Sequence, residues 1–357
     1  MTDDQRVFAP SKVGVDRQRV AAFLRGERVF PMTMELDLTQ KCTRNCRDCP
    51  YGSARSAGLT LSLEFLDRLF SVLGPHTPGL VLSGGECTSV PHFPDTVALA
   101  RERGFREIAV ITNGTLLDKP EVQDALLSEV TSVRVSLYDW WEEDSPAFLA
   151  TLRRIEKLRD RIEREGSPLE IAASILTRTE WTHRFAHVGE LALKTGIDWL
   201  YFHPFCVDWD TPYPRQADQR GVEEAVERLK AAHPRSSRIQ FPYERYDLNP
   251  LRFSSLHGSH FLIQVGADGV NYAGPECKYD DDYALLDLNE YLDEDFLWHP
   301  RRVEMIRAIS SDKYRPIGTR HRPPMFSDFL QRCLDMDPGN RVNLPVDRIE
   351  FRQPNII

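Results

Sequence analysis

The chain is 357 residues long, 41% hydrophobic and 28% charged, the make-up of a folded globular protein with a sizeable core and no wholesale disorder. Its formal net charge of -9 argues against an extended phosphate-binding surface, so no nucleic-acid partner is expected. No apolar run is long enough to span a membrane, and the polar opening MTDDQRVFAP lacks a targeting pattern, so no membrane partner and a cytoplasmic location are expected.

In chain order, residues 1–30 predict a short helical extension around DRQRVAAFLRGE. Six β-rich runs follow: MTMELDL (32–38), GLVLSG (79–84), EIAVITN (107–113), SVRVSLY (132–138), LEIAASIL (169–176) and WLYFHPF (199–205). Amphipathic stretches lie between them, among them SLEFLDRLFSVLG, FPDTVALARERG, PAFLATLRRIEKLRDRIEREG and HRFAHVGELALKTG, each ending near a glycine suited to a C-cap. Alternation of this kind predicts an α/β fold, a partial (βα)6 TIM-like barrel open on one side, over residues 31–215. The turn-rich WDTPYPRQADQRG marks its end, and residues 216–357 read as a small α+β C-terminal extension. There, FLIQVGADGVNYAGPEC has a hairpin signal at Ala267-Asp268-Gly269, followed by YALLDLNEYL and the helical PRRVEMIRAI. The tail after DPGNRVNLP reads as surface strand or coil.

Of the seven cysteines, three crowd into CTRNCRDC directly after the first predicted strand. An odd count without a secretion signal favours reduced thiols or metal ligands over a disulfide framework. Thiolates at Cys42, Cys46 and Cys49 on one loop can converge on one centre. A structural zinc site would need a fourth ligand, and an iron-sulfur cluster usually takes four cysteines as well, but none stands nearby. Chance clustering in a core is disfavoured by the polarity of TQKCTRNCRDCPYG. Spacing alone therefore leaves cluster, zinc and incidental readings open.

The flanking sequence narrows them. SGGE (83–86) ends the second predicted strand, ITNG ends the third and VSLYD the fourth. A C-x3-C-x2-C loop after strand one, joined to G-G-E after strand two, resembles the radical S-adenosylmethionine (radical SAM) superfamily over roughly residues 31–205. The resemblance implies one 4Fe-4S cluster held by Cys42, Cys46 and Cys49, with S-adenosylmethionine on the fourth iron. It implies cleavage to a 5'-deoxyadenosyl radical that takes hydrogen from substrate, and a reducing partner such as flavodoxin or ferredoxin. Gly84 and Gly85 would let backbone approach the methionyl part, and Glu86 would accept from its ammonium. Thr112 and Asn113 lie at a strand's C-terminal end, where parallel barrels collect ligands, although as turn formers they fit a structural role equally. Ser136 and Tyr138 share a strand face as ribose or carboxylate contacts, and Ser174 to Leu176 would border the adenine. One departure from the family pattern is Asp48, where an aromatic or bulky residue commonly precedes the third cysteine; Tyr51 is a substitute.

The extension resembles a SPASM- or twitch-like module with its ligands depleted. Cys277 stands in the expected region, Cys333 follows 56 residues later and no C-x2-C pair accompanies them, so a single cluster is expected. Cys277 reads either as a catalytic hydrogen-atom donor to a substrate radical or as an ordinary semi-buried thiol, while Cys87, Cys206 and Cys333 read as packing. His203, Asp208 and Asp210 after the sixth strand, Asp139, Trp140 and Glu142 after the fourth, and Glu276 with Asp280, Asp281 and Asp282 predict an acidic mouth. Such a mouth would attract a cationic small-molecule substrate, unless these loops are simply solvated. The resulting expectation is a radical SAM enzyme modifying a sugar, aminoglycoside or nucleoside, as in antibiotic biosynthesis, by epimerisation, dehydrogenation, dehydration or decarboxylation. Peptide maturation and a non-catalytic iron-sulfur or zinc protein are the alternatives.

Overall fold

The structure, a computed structural model, describes residues 9–46, 49, 57–138, 145–177, 179–204, 216–233, 238–247, 249–336 and 353–356. Helix α1 (Arg17–Leu24) opens on Asp16, whose side chain caps it by accepting from Arg19 N. The six β-rich runs then fold as β1 (Thr33–Thr39), β2 (Gly79–Gly84), β3 (Glu107–Thr112), β4 (Ser132–Ser136), β5 (Glu170–Thr177) and β6 (Trp199–Pro204). They are parallel and stand in chain order across the sheet.

The crossovers are α2 (Leu63–Leu73), α3 (Phe93–Glu102), α4 (Pro120–Glu129), α5 (Pro146–Glu165) and α6 (Phe185–Lys194). Helix α2 forms because Ser62 caps it and Phe65, Leu66, Leu69, Phe70 and Leu73 make one buried stripe. Helix α4 is not picked out by the sequence reading. Only Val122, Ala125 and Leu126 bury there, a thin stripe beside Glu121 and Gln123. After β6, α7 (Gln216–Ala232) leads to a two-residue strand, β7 (Ile239–Gln240), parallel to β6.

The chain then crosses to the other edge. Strand β8 (Leu262–Val265) pairs parallel with β1, and β9 (Val270–Tyr272) and β10 (Ala284–Asp287) continue the sheet antiparallel. The hairpin falls where Ala267-Asp268-Gly269 predicts it, with Gly269 at φ +79 in a region that favours glycine. Helices α8 (Leu288–Tyr291), α9 (Pro300–Ala308) and α10 (Arg322–Asp335) complete the extension. The fully buried Arg302 of α9 ties it together, donating to Asn271 Oδ1, Leu297 O and Ser259 O, each at 2.7 Å.

Side-chain alternation gives the sheet two unlike faces. Met34, Leu36, Leu38, Leu80, Leu82, Ile108, Val110, Val133, Val135, Ile171 and Leu200 turn outward into the main hydrophobic cluster, against the helices. The opposite face carries Glu35, Asp37, Ser83, Arg134, Ser136, Ser174, Tyr201 and His203. This is a partial barrel whose lumen is largely polar, with Val81, Ile111 and Leu176 among its apolar residues.

Residues 353–356 lie across the N-terminal ends of the strands. Thr33 Oγ1 donates to Asn355 O (2.5 Å), Asn355 N donates to Glu107 Oε2 (2.9 Å), Ser132 and Gln353 share a 3.0 Å bond, and Lys12 Nζ donates to Ile356 O (2.6 Å). A Cβ on Gly79 would stand 2.0 Å from Asn355 O, so only glycine admits this segment. Among the described residues, no helix is long and apolar enough to cross a membrane.

Candidate active site

The site begins where β1 ends. Its last residues are clasped by the returning segment 59–61: Gln40 N donates to Leu59 O (2.8 Å), Leu61 N to Leu38 O (3.1 Å) and Thr39 Oγ1 to Leu59 O (3.0 Å). The intervening loop carries Cys42, Cys46 and Cys49 as partly buried thiols outside any disulfide. It does not gather them into a ready ligand set. Among the described residues, no three His, Cys, Asp or Glu side chains stand close enough to hold an ion.

The glycine pair presses on this loop. Gly85 N donates to Thr39 O (2.7 Å) and Glu86 N to Lys41 O (2.8 Å). A Cβ would stand 2.4 Å from Thr39 O at Gly84, which also has φ +119, and 2.1 Å from Lys41 O at Gly85. The close approach these glycines permit is therefore made to the cysteine loop itself.

Glu86 follows the pair. Its carboxylate is fully buried and engaged internally: Oε1 accepts from Thr88 Oγ1 (2.5 Å) and Thr112 Oγ1 (2.6 Å), and Oε2 from Asn113 N (2.7 Å). Burial holds its carboxyl above the ordinary value against the pull of these bonds. Glu86 is thus a brace, and the partly exposed backbone of Gly84 and Gly85 is what faces outward. Thr112 belongs to the same brace. Asn113 reaches the other way, its Nδ2 donating to Thr43 Oγ1 (3.0 Å) and lying 3.5 Å from Cys42 Sγ, so it positions the cysteine loop.

Inside the barrel, Ser136 on β4 and Ser174 on β5 stand in register, with Tyr138 beyond them partly exposed and Leu176 buried. Ser174 Oγ is buried without a hydrogen-bond partner. Deeper in, Lys278 Nζ lies 2.7 Å from Asp37 Oδ1 and 3.7 Å from Glu35 Oε1, with its side chain fully buried. Arg322 pairs with the other oxygen of Glu35. Burial pushes the Glu35 carboxyl up, but Arg322 and Lys278 outweigh it and hold the group below its ordinary value. Arg245, from the turn after β7, approaches His203 Nδ1 and His321 Nε2, each at 3.4 Å.

Residues 36–174 match the family model described as the radical SAM superfamily. The matched stretch is a radical SAM domain. The chain is 30% identical over 133 residues to a probable GTP 3',8-cyclase of Methanothermobacter thermautotrophicus, covering 37% of this chain and 43% of that protein. It is 25% identical over 191 residues to the antilisterial bacteriocin subtilosin biosynthesis protein AlbA of Bacillus subtilis, covering 49% and 41%. The chain spans less than half the length of these curated relatives. Among solved structures, Streptococcus suis SuiB bound to precursor peptide SuiA superposes with a TM-score of 0.63 at 14% identity, over 88% of this chain and 79% of that one.

The radical SAM domain fits the group its family implies. Three thiols of the right chemistry, none in a disulfide, stand on one loop at the C-terminal edge of the barrel, and an unpartnered Ser174 Oγ lies on the inner wall. Other expectations need correcting. Cys277 has no exposed surface: its Sγ donates to Tyr314 Oη (3.2 Å) within an apolar cluster that includes Leu256, Tyr283, Leu285 and Ile306. That is a packing position and not a place from which to meet a substrate. Glu276, its neighbour, accepts from Tyr314 Oη at 2.7 Å through Oε1, and its buried Oε2 has no partner. Asp280 and Asp282 pair with Arg315, whose side chain is 56% exposed, so this acidic run is solvated surface. Cys87 and Cys333 are buried in separate apolar clusters. Asp48, Tyr51, Asp139, Trp140, Glu142, Cys206, Asp208 and Asp210 lie outside the described residues.

The sequence reading misses Glu35, Asp37, Arg134, Lys278 and Arg322. For three of them a signal exists: in MTMELDL and SVRVS, charged residues alternate with apolar ones, so Glu35, Asp37 and Arg134 fall on the inward face.

Proposed function

We propose that this protein is a single-cluster radical SAM enzyme that removes a hydrogen atom from a small polar substrate held in the barrel lumen. Cys42, Cys46 and Cys49 would hold the 4Fe-4S cluster. When bound, the cluster and S-adenosylmethionine supply one-electron reductive cleavage of a C–S bond and a carbon radical able to abstract hydrogen. The chain's own residues do the remainder. Asn113 and the Gly84-Gly85 backbone fix the cysteine loop, Ser136 and Ser174 offer hydroxyls to the nucleoside, and the buried walls exclude water from a reactive intermediate. An external one-electron donor such as flavodoxin or ferredoxin belongs to this reading.

The observation that carries it is the contrast between the faces of the sheet: apolar outward, and polar inward beneath the cysteine loop. A purely structural sheet would have no reason to bury Ser174 Oγ without a partner. The single cluster rests on Cys277 and Cys333, which sit in two separate apolar clusters. Anaerobic reconstitution tests this. About four irons per chain with S-adenosylmethionine cleavage, both lost in Cys42→Ala, are expected. Colourless protein without cleavage overturns the enzyme reading, and about eight irons overturns the single cluster.

Peptide maturation is the second reading. It is favoured by the likeness to AlbA, whose name places it in bacteriocin biosynthesis. A modified peptide recovered from the reconstituted protein, with no turnover of small polar molecules, would favour it over the first.

A further inference from the structure

Taking the lumen as the substrate site, we propose that it recognises an anionic group on the substrate, a carboxylate or a phosphate, through Arg134 on β4 and His203 on β6. This is opposite in sign to the cationic ligand that the acidic loops suggest.

The cations of the lumen are unequally matched. Lys278 is paired with Asp37, and Arg322 with Glu35. Arg134 is left over: it projects from an inward position, makes no ion pair among the described residues, and its Nε is buried without a hydrogen-bond partner. A guanidinium is always charged and only donates; Arg134 helps to hold the Glu35 carboxyl ionised, but that group is already paired with Arg322 and Lys278, so the unpartnered Arg134 Nε facing the lumen calls for an acceptor, best an anionic one.

His203 is set to donate to the same group. Because Arg245 can only donate, the 3.4 Å contact makes His203 Nδ1 the acceptor, which puts the ring proton on Nε2. That nitrogen is buried and has no partner. The ring is neutral, held well below its ordinary pKa by burial and then by Arg134, Arg245 and Arg322. Its second nitrogen is therefore a free N–H and not part of an imidazolium. Strand β5 separates the two donors, with Ala172 in register with Arg134, Leu176 in register with His203 and Ser174 between these rows. Ala172 and Ser174 are small and leave space on the Arg134 side for an oxygen-bearing group. The nearby carboxylate of Glu276, pushed up to about 7 chiefly by burial, offers little repulsion at neutral pH once protonated.

The test is equilibrium binding of inorganic phosphate and of succinate to the reconstituted full chain loaded with S-adenosylmethionine, at constant ionic strength against chloride. Saturable binding of either, weakened roughly tenfold or more by Arg134→Gln, supports the proposal, and the tighter of the two names the group. No binding beyond chloride, equal binding by the variant, or displacement of the probe by added S-adenosylmethionine overturns it. A folding defect in the variant is separated by nitrogen-labelled histidine NMR on the wild-type chain, where the His203 Nε2–H signal must move with added phosphate or succinate; a signal that stays still overturns the assignment. Cleavage of S-adenosylmethionine in the same preparation tests the enzyme reading separately. Cleavage without anion binding sinks this proposal alone.

Discussion

Glu276→Gln isolates one buried carboxyl whose protonation is tied to the fold. Burial pushes this group from 4.5 up to about 7, while the bond from Tyr314 Oη pulls the other way. The folded state therefore holds the proton more tightly than the unfolded chain does. Between these two values the unfolded state binds fewer protons, so the carboxyl's contribution to stability is complete below about pH 4.5 and declines as pH rises through about 7. A shift of about 2.5 units corresponds to roughly 3 kcal/mol as an upper figure. Glutamine keeps the side-chain length and an oxygen for Tyr314 but cannot ionise. Urea unfolding of both proteins from about pH 5 to pH 8 should show the wild type losing up to about 3 kcal/mol more than the variant across that range. Parallel stability curves for the two would refute the reasoning, because they would mean that Glu276 ionises in the fold without cost.

Lys278→Met removes the cation from between Asp37 and Glu35 and leaves buried carboxylates, so a loss of about 3–5 kcal/mol is expected in chemical unfolding. Adding Asp37→Asn should restore part of it, and a single variant within about 1 kcal/mol of wild type would show the pair to be inert. Gly85→Ala puts a Cβ 2.1 Å from Lys41 O, so the cysteine loop must shift. Reconstituted iron should fall well below the wild-type content while circular dichroism is unchanged, and full iron loading would mean the loop yields without disturbing its thiols.

Much of the barrel was legible because β1 to β6 alternate an apolar outer row with an inner row that is largely polar or small, Val81, Ile111, Leu176 and Trp199 excepted, a local pattern that a sequence displays directly. Helix α4 was harder to read because its apolar stripe is only three residues wide. The lumen is another matter. Lys278 and Asp37 are 241 residues apart in the chain, and nothing near either one signals the other. For the same reason, the acidic run at Asp280 to Asp282 read as a mouth although Asp280 and Asp282 pair with Arg315 at the surface. Glu86 is partly legible: the motif marks the position, and only the fold reveals that Thr88, Thr112 and Asn113 bond to its carboxylate.

The contacts that Asn355 and Ile356 make with Thr33, Glu107 and Lys12 reach across 322, 248 and 344 positions of the chain. Contacts of such long separation are costly to close, so the underside of the barrel is sealed only after its strands have met. Until then Gly79 and its neighbouring strand starts face water, and a protease that removes residues 353–356 would return them to that state.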